Sequence, residues 1–268
     1  MKNCNLVLAS ASPRRKEILE KHGINPIIIP SLNPEILPEG LKVTGLPECE
    51  QEKVDRGSVE YLAMTKATSV AKDILKTKYC IEHLTLEDDV NQSSAMEADR
   101  ISAVRKAADI LKRGGSLVIL GADTLVFKGE KFGKPKNAQE AFQMLRALRG
   151  SSHKVITGVA VLLLEGAEKN EAIGSDPWVA DNFSCETIVK FAEVQDEEIE
   201  YYVGTDEPYD KAGGYAIQGY FGRYVEGYEG DFENVIGLPY RMIEERLSDI
   251  MGEAKLQKCW KNGILSDD

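Results

Sequence analysis

Asn5-Leu6-Val7-Leu8-Ala9-Ser10-Ala11-Ser12-Pro13-Arg14-Arg15 is the stretch on which the reading of the fold turns. Asn5 to Leu8 is a short apolar, strand-like run. Ser12-Pro13 sets an N-cap residue before a proline at the first helical position, where the missing N–H costs nothing. The pattern predicts a strand, a tight turn and a helix from Pro13 to His22, stopped by Gly23. A helix start carries unpaired N–H groups and partial positive charge. With Ser10 and Ser12 before it and Arg14 and Arg15 in its first turn, this start suits a phosphate. A capped surface helix with two solvated arginines is the competing reading of the same residues.

Around this turn, 268 residues with 43% hydrophobic content can bury a sizeable core in one large or two small domains. The longest purely apolar run, Val159 to Leu164, is far too short to span a bilayer, and the first residues lack the basic-then-apolar layout of a signal peptide. A cytoplasmic protein with no membrane partner is the expectation. A formal net charge of −11 argues against nonspecific DNA or RNA binding, so a phosphate ligand must be small and met by local cations or a divalent metal. Five scattered cysteines without C-x-x-C spacing indicate neither a disulfide framework nor a thiolate zinc site.

Along the chain, Pro26 to Pro30 is β-rich, and the proline-punctuated stretch beyond it carries Glu35, either a metal ligand or an exposed loop acid. Val59, Leu62, Ala63, Ala67, Val70 and Ile74 recur at helical spacing and predict a helix from Ser58 to about Leu75. Lys66 lies on that apolar stripe, where a lysine snorkels past the core edge or projects into a cleft. Residues from about 77 to 105 crowd Glu and Asp with little periodicity and read as a mobile acidic insertion, either a partner-binding element or a solvated loop.

Ser116 to Leu120 is a buried-strand signature, with Gly121-Ala122-Asp123-Thr124 at its C-terminal end, where α/β proteins place ligands. The run to Pro135 predicts a hairpin turning near Gly129 and returning Lys134 alongside Asp123, as a structural ion pair or a catalytic one. A helix from Asn137 to Leu148, strands over His153–Leu164 and Phe183–Phe191, a short helix Asp196–Tyr202 and a last helix from Pro239 to about Ile250 follow. Glu207 to Gly219 is dense in polar residues and glycine but forms no G-x-G-x-x-G. No Walker loop, G-x-S-x-G elbow or metal-spaced histidine pair occurs.

Taken in order, Ser10-Ala11-Ser12-Pro13-Arg14-Arg15, Glu35, Lys66, Gly121-Ala122-Asp123-Thr124, Gly133-Lys134-Pro135, His153-Lys154-Val155, Glu207-Pro208 with Asp210-Lys211-Ala212-Gly213, Ile217-Gln218-Gly219 and Gly237-Leu238-Pro239 resemble the Maf family of nucleotide pyrophosphatases, relatives of the inosine triphosphatases. The resemblance covers nearly the whole chain. It departs at the acidic insertion and at the tail after Ile250, so the domain expected is residues 1–250, with a tail over 251–268.

The resemblance implies an α/β fold, an extended mixed β-sheet flanked by helices in two lobes with a central cleft, and a homodimer. It implies hydrolysis of a nucleoside triphosphate to the monophosphate and pyrophosphate with a divalent cation, Mg²⁺ first and Mn²⁺ or Co²⁺ as alternatives. The residue matching Asp123 is the family's proton acceptor, and those matching Arg14, Thr124 and Gln218 mark the branch acting on dTTP and UTP. A sister branch acting on methylated guanine triphosphates such as 7-methyl-GTP, and a non-catalytic nucleotide-binding regulator, are the alternatives.

The residue chemistry agrees with this. Asp123 can take the proton of an attacking water or bind the metal that acidifies it, two roles that sequence leaves open. Arg14, Arg15, Lys66 and Lys134 can meet charge on the phosphates, with the metal held by Glu35 or Asp123. Gln218 offers donor and acceptor to a pyrimidine edge.

Overall fold

The computed structural model describes residues 4–83, 95–166, 177–252 and 256. The opening stretch forms strand β1 (Cys4–Leu8), a turn, and helix α1 (Pro13–Lys21) with Pro13 in its first turn. Ser12 stands at the N-cap with extended backbone, but its hydroxyl makes no capping bond. Strand β2 (Ile27–Ile28) pairs parallel with β1, and helices α2 (Glu48–His83) and α3 (Ala95–Lys112) lead to strand β3 (Ser116–Lys128). Then come β4 (Glu130–Phe132), α4 (Ala138–Leu148), β5 (Ser152–Glu165), β6 (Trp178–Phe191), α5 (Asp196–Val203), β7 (Val225–Glu229), α6 (Phe232–Ile236) and α7 (Tyr240–Met251).

The seven strands form one mixed sheet in the order β2-β1-β3-β5-β6-β7, with β4 on β3. β1 is parallel to both its neighbours, and β3, β5, β6 and β7 run antiparallel in succession. The α/β class with an extended mixed sheet is as expected from sequence.

Alternation along β3 sorts the core. Val118, Leu120 and Ala122 face α1 and α7, packing with Ile18, Leu19, Ile243 and Leu247. Leu117 and Ile119 face α2 and α3, packing with Ala67, Val70, Ile74 and Ala107. A third cluster joins the far halves of the long strands to α4 and α5 through Val126, Leu145, Val155, Phe191, Tyr202 and Phe221. No helix among the described residues is long and apolar enough to cross a membrane.

Several local expectations change. The helix expected over Ser58–Leu75 starts ten residues earlier, at Glu48, because its first turns are held by polar contacts. Gln51 and Asp55 are buried and hydrogen-bonded to each other, and Arg56 bonds Glu52, Ser184 and Glu186. The stretch expected as a mobile acidic insertion is helical where it is described: 77–83 continue α2 and 95–105 lie in α3, while its centre, 84–94, is outside the described residues. Val104, Ala107, Ala108 and Leu111 give α3 a buried face, and Arg100 ties it to Asp73 of α2 and to the Pro30 carbonyl. Of the segment after Gly252 only Leu256 is described, and it is buried in the α7 cluster.

Candidate active site

Asp123 sits within β3, which continues without a break to Lys128; the strand does not end at Gly121 as the sequence suggests. The two glycines nearby are explained by helix α2. A Cβ on Gly121 would lie 2.1 Å from the Ala63 carbonyl oxygen, and one on Gly158, which stands opposite Asp123 on β5, would lie 2.4 Å from backbone of Val59. Both positions must be bare for α2 to lie this close to the sheet, and that approach sets Lys66 over Asp123. Lys66 Nζ is 2.7 Å from Asp123 Oδ1 and 2.7 Å from Glu35 Oε1. The cation bonded to Asp123 is therefore Lys66; Lys134 lines the same cleft but does not pair with Asp123.

The residue after Asp123 points to the opposite face of the sheet. Arg15 donates to Thr124 Oγ1 (3.2 Å), and Thr157 Oγ1 donates to the Asn234 carbonyl (3.1 Å). The 3.0 Å contact between the two threonine hydroxyls then runs from Thr124 to Thr157, so the Thr124 proton is already committed. Arg15 also donates to Ser10 Oγ (3.1 Å) and to the carbonyls of Ala122 (2.9 Å) and Gly237 (2.9 Å). Gly237 has φ +119°, a backbone state that favours glycine, and this caps α6 and turns its carbonyl to Arg15. Burial pulls the Arg15 pKa below its ordinary value, against the raising effect of Asp123.

Arg14 instead reaches across the cleft and donates to Asp210 Oδ2 at 2.8 Å and to its carbonyl at 3.3 Å. Asp210 also takes a bond from Lys211. Burial raises the Asp210 pKa, but Lys211 and Arg14 outweigh it and hold the carboxyl below its usual range. Burial likewise raises the pKa of Glu35, and Lys66, Lys134 and Arg15 together carry it below the ordinary value.

Ser10, Ser12, Arg14, Arg15, Glu35, Lys66, Asp123, Thr124, Lys134 and Gln218, every residue nominated from sequence, line one cleft of about 400 Å³. Sequence reasoning gave no site role to Asp210, Lys211 or Tyr215, which also line it. The Arg14–Asp210 pair joins residues 196 positions apart; Asp210 stands in one of the family-like motifs, but nothing there links it to Arg14. Behind Tyr215, its hydroxyl lies 2.6 Å from Nε2 of buried His153, whose pKa burial pushes down to about 4.

The two carboxylates suit a hard divalent cation. They are oxygen donors brought to within hydrogen-bond reach of a single positive charge, the Lys66 ammonium. Among the described residues no group of three or more His, Cys, Asp or Glu could hold a metal. Such an ion would therefore complete its shell with water and substrate oxygens, as Mg²⁺ commonly does.

A family model described as Maf-like protein matches residues 5–250. The chain is 37% identical over 246 residues to a dTTP/UTP pyrophosphatase of Desulfitobacterium hafniense (strain Y51), covering 91% of this chain and 84% of that protein. A dTTP/UTP pyrophosphatase of Geobacter sp. (strain M21) is 36% identical over 249 residues, covering 92% and 96%. One of Pyrococcus horikoshii (strain ATCC 700860 / DSM 12428 / JCM 9974 / NBRC 100139 / OT-3) is 43% identical over 148 residues, covering 53% and 70%.

Proposed function

Because the chain belongs to the Maf-like family, we propose that it hydrolyses dTTP and UTP to the nucleoside monophosphate and pyrophosphate in the cleft between α1, β3 and the Glu207–Gly219 segment. The observation that carries this reading is the pair of carboxylates, Asp123 and Glu35, converging on one cationic position in a cleft that also holds Arg14 and Lys134. The names of the relatives supply the substrate.

In this reading the oxygen of a water molecule bonds to the α-phosphorus as the bond from that phosphorus to the bridging oxygen of the β-phosphate breaks. Pyrophosphate leaves with the bridging oxygen. Asp123 takes the proton of the water. Lys134, Lys66 and Arg14 face the phosphate charge, which is where phosphoryl chemistry most needs fixed cations. Arg15 and Thr124 hold the turn through the bonds described above, and Ser10 and Ser12 present the backbone before α1 to the phosphates. Gln218, exposed on the lip of the cleft, reads the pyrimidine edge with its donor and acceptor. A divalent cation, Mg²⁺ in this proposal, would be held by Glu35 and Asp123 and would neutralise phosphate charge and lower the pKa of a bound water. The expected setting is the cytoplasm, where nucleoside triphosphates are made and used.

The test is a panel of nucleoside triphosphates, with 7-methyl-GTP included, read by pyrophosphate release with Mg²⁺. dTTP and UTP should lead the panel, and a chelator should stop turnover. Asp123→Asn should lower kcat by about 10² to 10⁴ while the far-UV spectrum and melting point stay near wild type. Full activity in that variant removes Asp123 as the base, and 7-methyl-GTP as the leading substrate removes the pyrimidine assignment.

A further inference from the structure

Lys66 occupies the space between the two carboxylates that the cleft offers to a metal. Its Nζ is 2.7 Å from an oxygen of each; Lys66 and Asp123 are only 14% and 19% exposed at their side chains, so water screens that pair poorly, while Glu35, at 56%, closes the arrangement from the solvent side. A divalent ion on either oxygen would meet the ammonium at close range and with like charge. The helix that carries Lys66 is seated directly against the sheet at Gly121 and Gly158. The four-carbon side chain itself can turn. What would draw it away is another anion, and the same cleft is lined by Ser10, Ser12, Arg14 and Lys134, the groups suited to phosphate.

We propose that Lys66 and the divalent cation compete for Glu35 and Asp123, so that the cleft takes up metal tightly only together with a polyphosphate, which gives the ammonium a new partner. This rests on the reading of the cleft as that of a metal-assisted pyrophosphatase. It adds an order to the binding events: in the free protein Lys66 bridges the two acids, and the arriving triphosphate releases them.

The experiment titrates Mn²⁺ into nucleotide-free protein and follows the free ion by electron paramagnetic resonance. Lys66→Met should bind Mn²⁺ at least about tenfold more tightly than wild type. Lys134→Met removes the same charge from the same cleft without vacating the two carboxylates, and should tighten binding by less than about threefold. Lys66→Gln is carried beside Lys66→Met so that a folding defect in one, read by its thermal melt, leaves the other to decide. Unchanged affinity in the folded Lys66 variant, or equal tightening in Lys134→Met, overturns the competition. Wild-type pyrophosphate release from dTTP is measured on the same preparations. Absence of that turnover removes the reading on which the inference rests, whereas turnover with unchanged Mn²⁺ affinity removes the inference alone.

Discussion

Two neighbouring arginines in one helical turn do different work. Arg15 spends its guanidinium on Ser10, Thr124 and the carbonyls of Ala122 and Gly237, four acceptors from three segments. A lysine has no planar fork with which to serve them. Arg15→Lys should therefore cost roughly 1–3 kcal/mol, seen as a lower urea midpoint, through carbonyls left without donors. Arg14 makes an exposed bond to Asp210 across the cleft, a kind of contact worth at most about 1 kcal/mol. Arg14→Ala should leave the urea midpoint nearly unchanged and alter the ratio of kcat/KM for dTTP to that for other triphosphates. An equal fall for every triphosphate would show that Arg14 selects nothing. The family resemblance singles out Arg14 as a branch marker and leaves Arg15 to the triphosphate, but nothing local in the sequence distinguishes a side chain that bonds inward from one that reaches outward.

Helix α2 is the element that builds the catalytic face. It runs for 36 residues, about 54 Å at the usual rise, and crosses the sheet where Gly121 and Gly158 remove two side chains. Gly121→Ala would drive a methyl group into the Ala63 carbonyl, so it should destabilise the protein by about 3 kcal/mol and separate Lys66 from Asp123. Thermal melts and turnover together check this: a variant of wild-type stability and activity would mean the helix yields freely. The middle of α2 was legible because Val59 to Ile74 repeats at helical spacing and is buried as expected, Ala63 to Ile74 in one cluster and Val59 in another. Its start was not, because Glu48 to Gly57 is anchored by Gln51, Asp55 and by Arg56 to Glu186, 130 residues away. Gly121 was misread as a strand end for a related reason: the atom that forbids a side chain there belongs to another element. By contrast the hairpin at Gly129 and the Asn137 cap of α4, which accepts the Glu140 N–H at 2.9 Å, depend on adjacent residues and were readable in full.

At the scale of the whole molecule, the site is a meeting of distant segments. The α1 turn, the middle of β3 and the Glu207–Gly219 segment come from widely separated parts of the sequence, which is why the candidate residues could be named from motifs but their pairings could not. The same scale governs response to acid. His153 is 2% exposed, packed edge-on to Phe191 and Tyr215, and its folded pKa of about 4 lies below the ordinary 6.5. Between those values the unfolded chain binds more protons than the folded one. The stability His153 contributes is thus complete above about pH 6.5 and is lost as pH falls toward 4, by an amount on the order of 3 kcal/mol. In urea titrations across that window, the stability gap between wild type and His153→Gln should narrow as pH falls. A gap that stays constant would mean His153 titrates alike in both states.

The parallel seat of β1 between β2 and β3 also governs how the protein comes into being on the ribosome. β1 is made well before β3, yet its register with β3 begins at Cys4 opposite Ser116, more than a hundred residues later. At about 5–20 residues per second, that interval leaves one edge of an apolar strand unpaired for roughly 5 to 20 s of synthesis. During that time Arg15 has neither Ala122 nor Thr124 to bond, and the two-residue β2 covers only the far edge. The nascent chain is therefore most exposed to mispairing and to chaperone capture before β3 emerges, and the turn before α1, although translated ahead of β3, acquires its shape only after it.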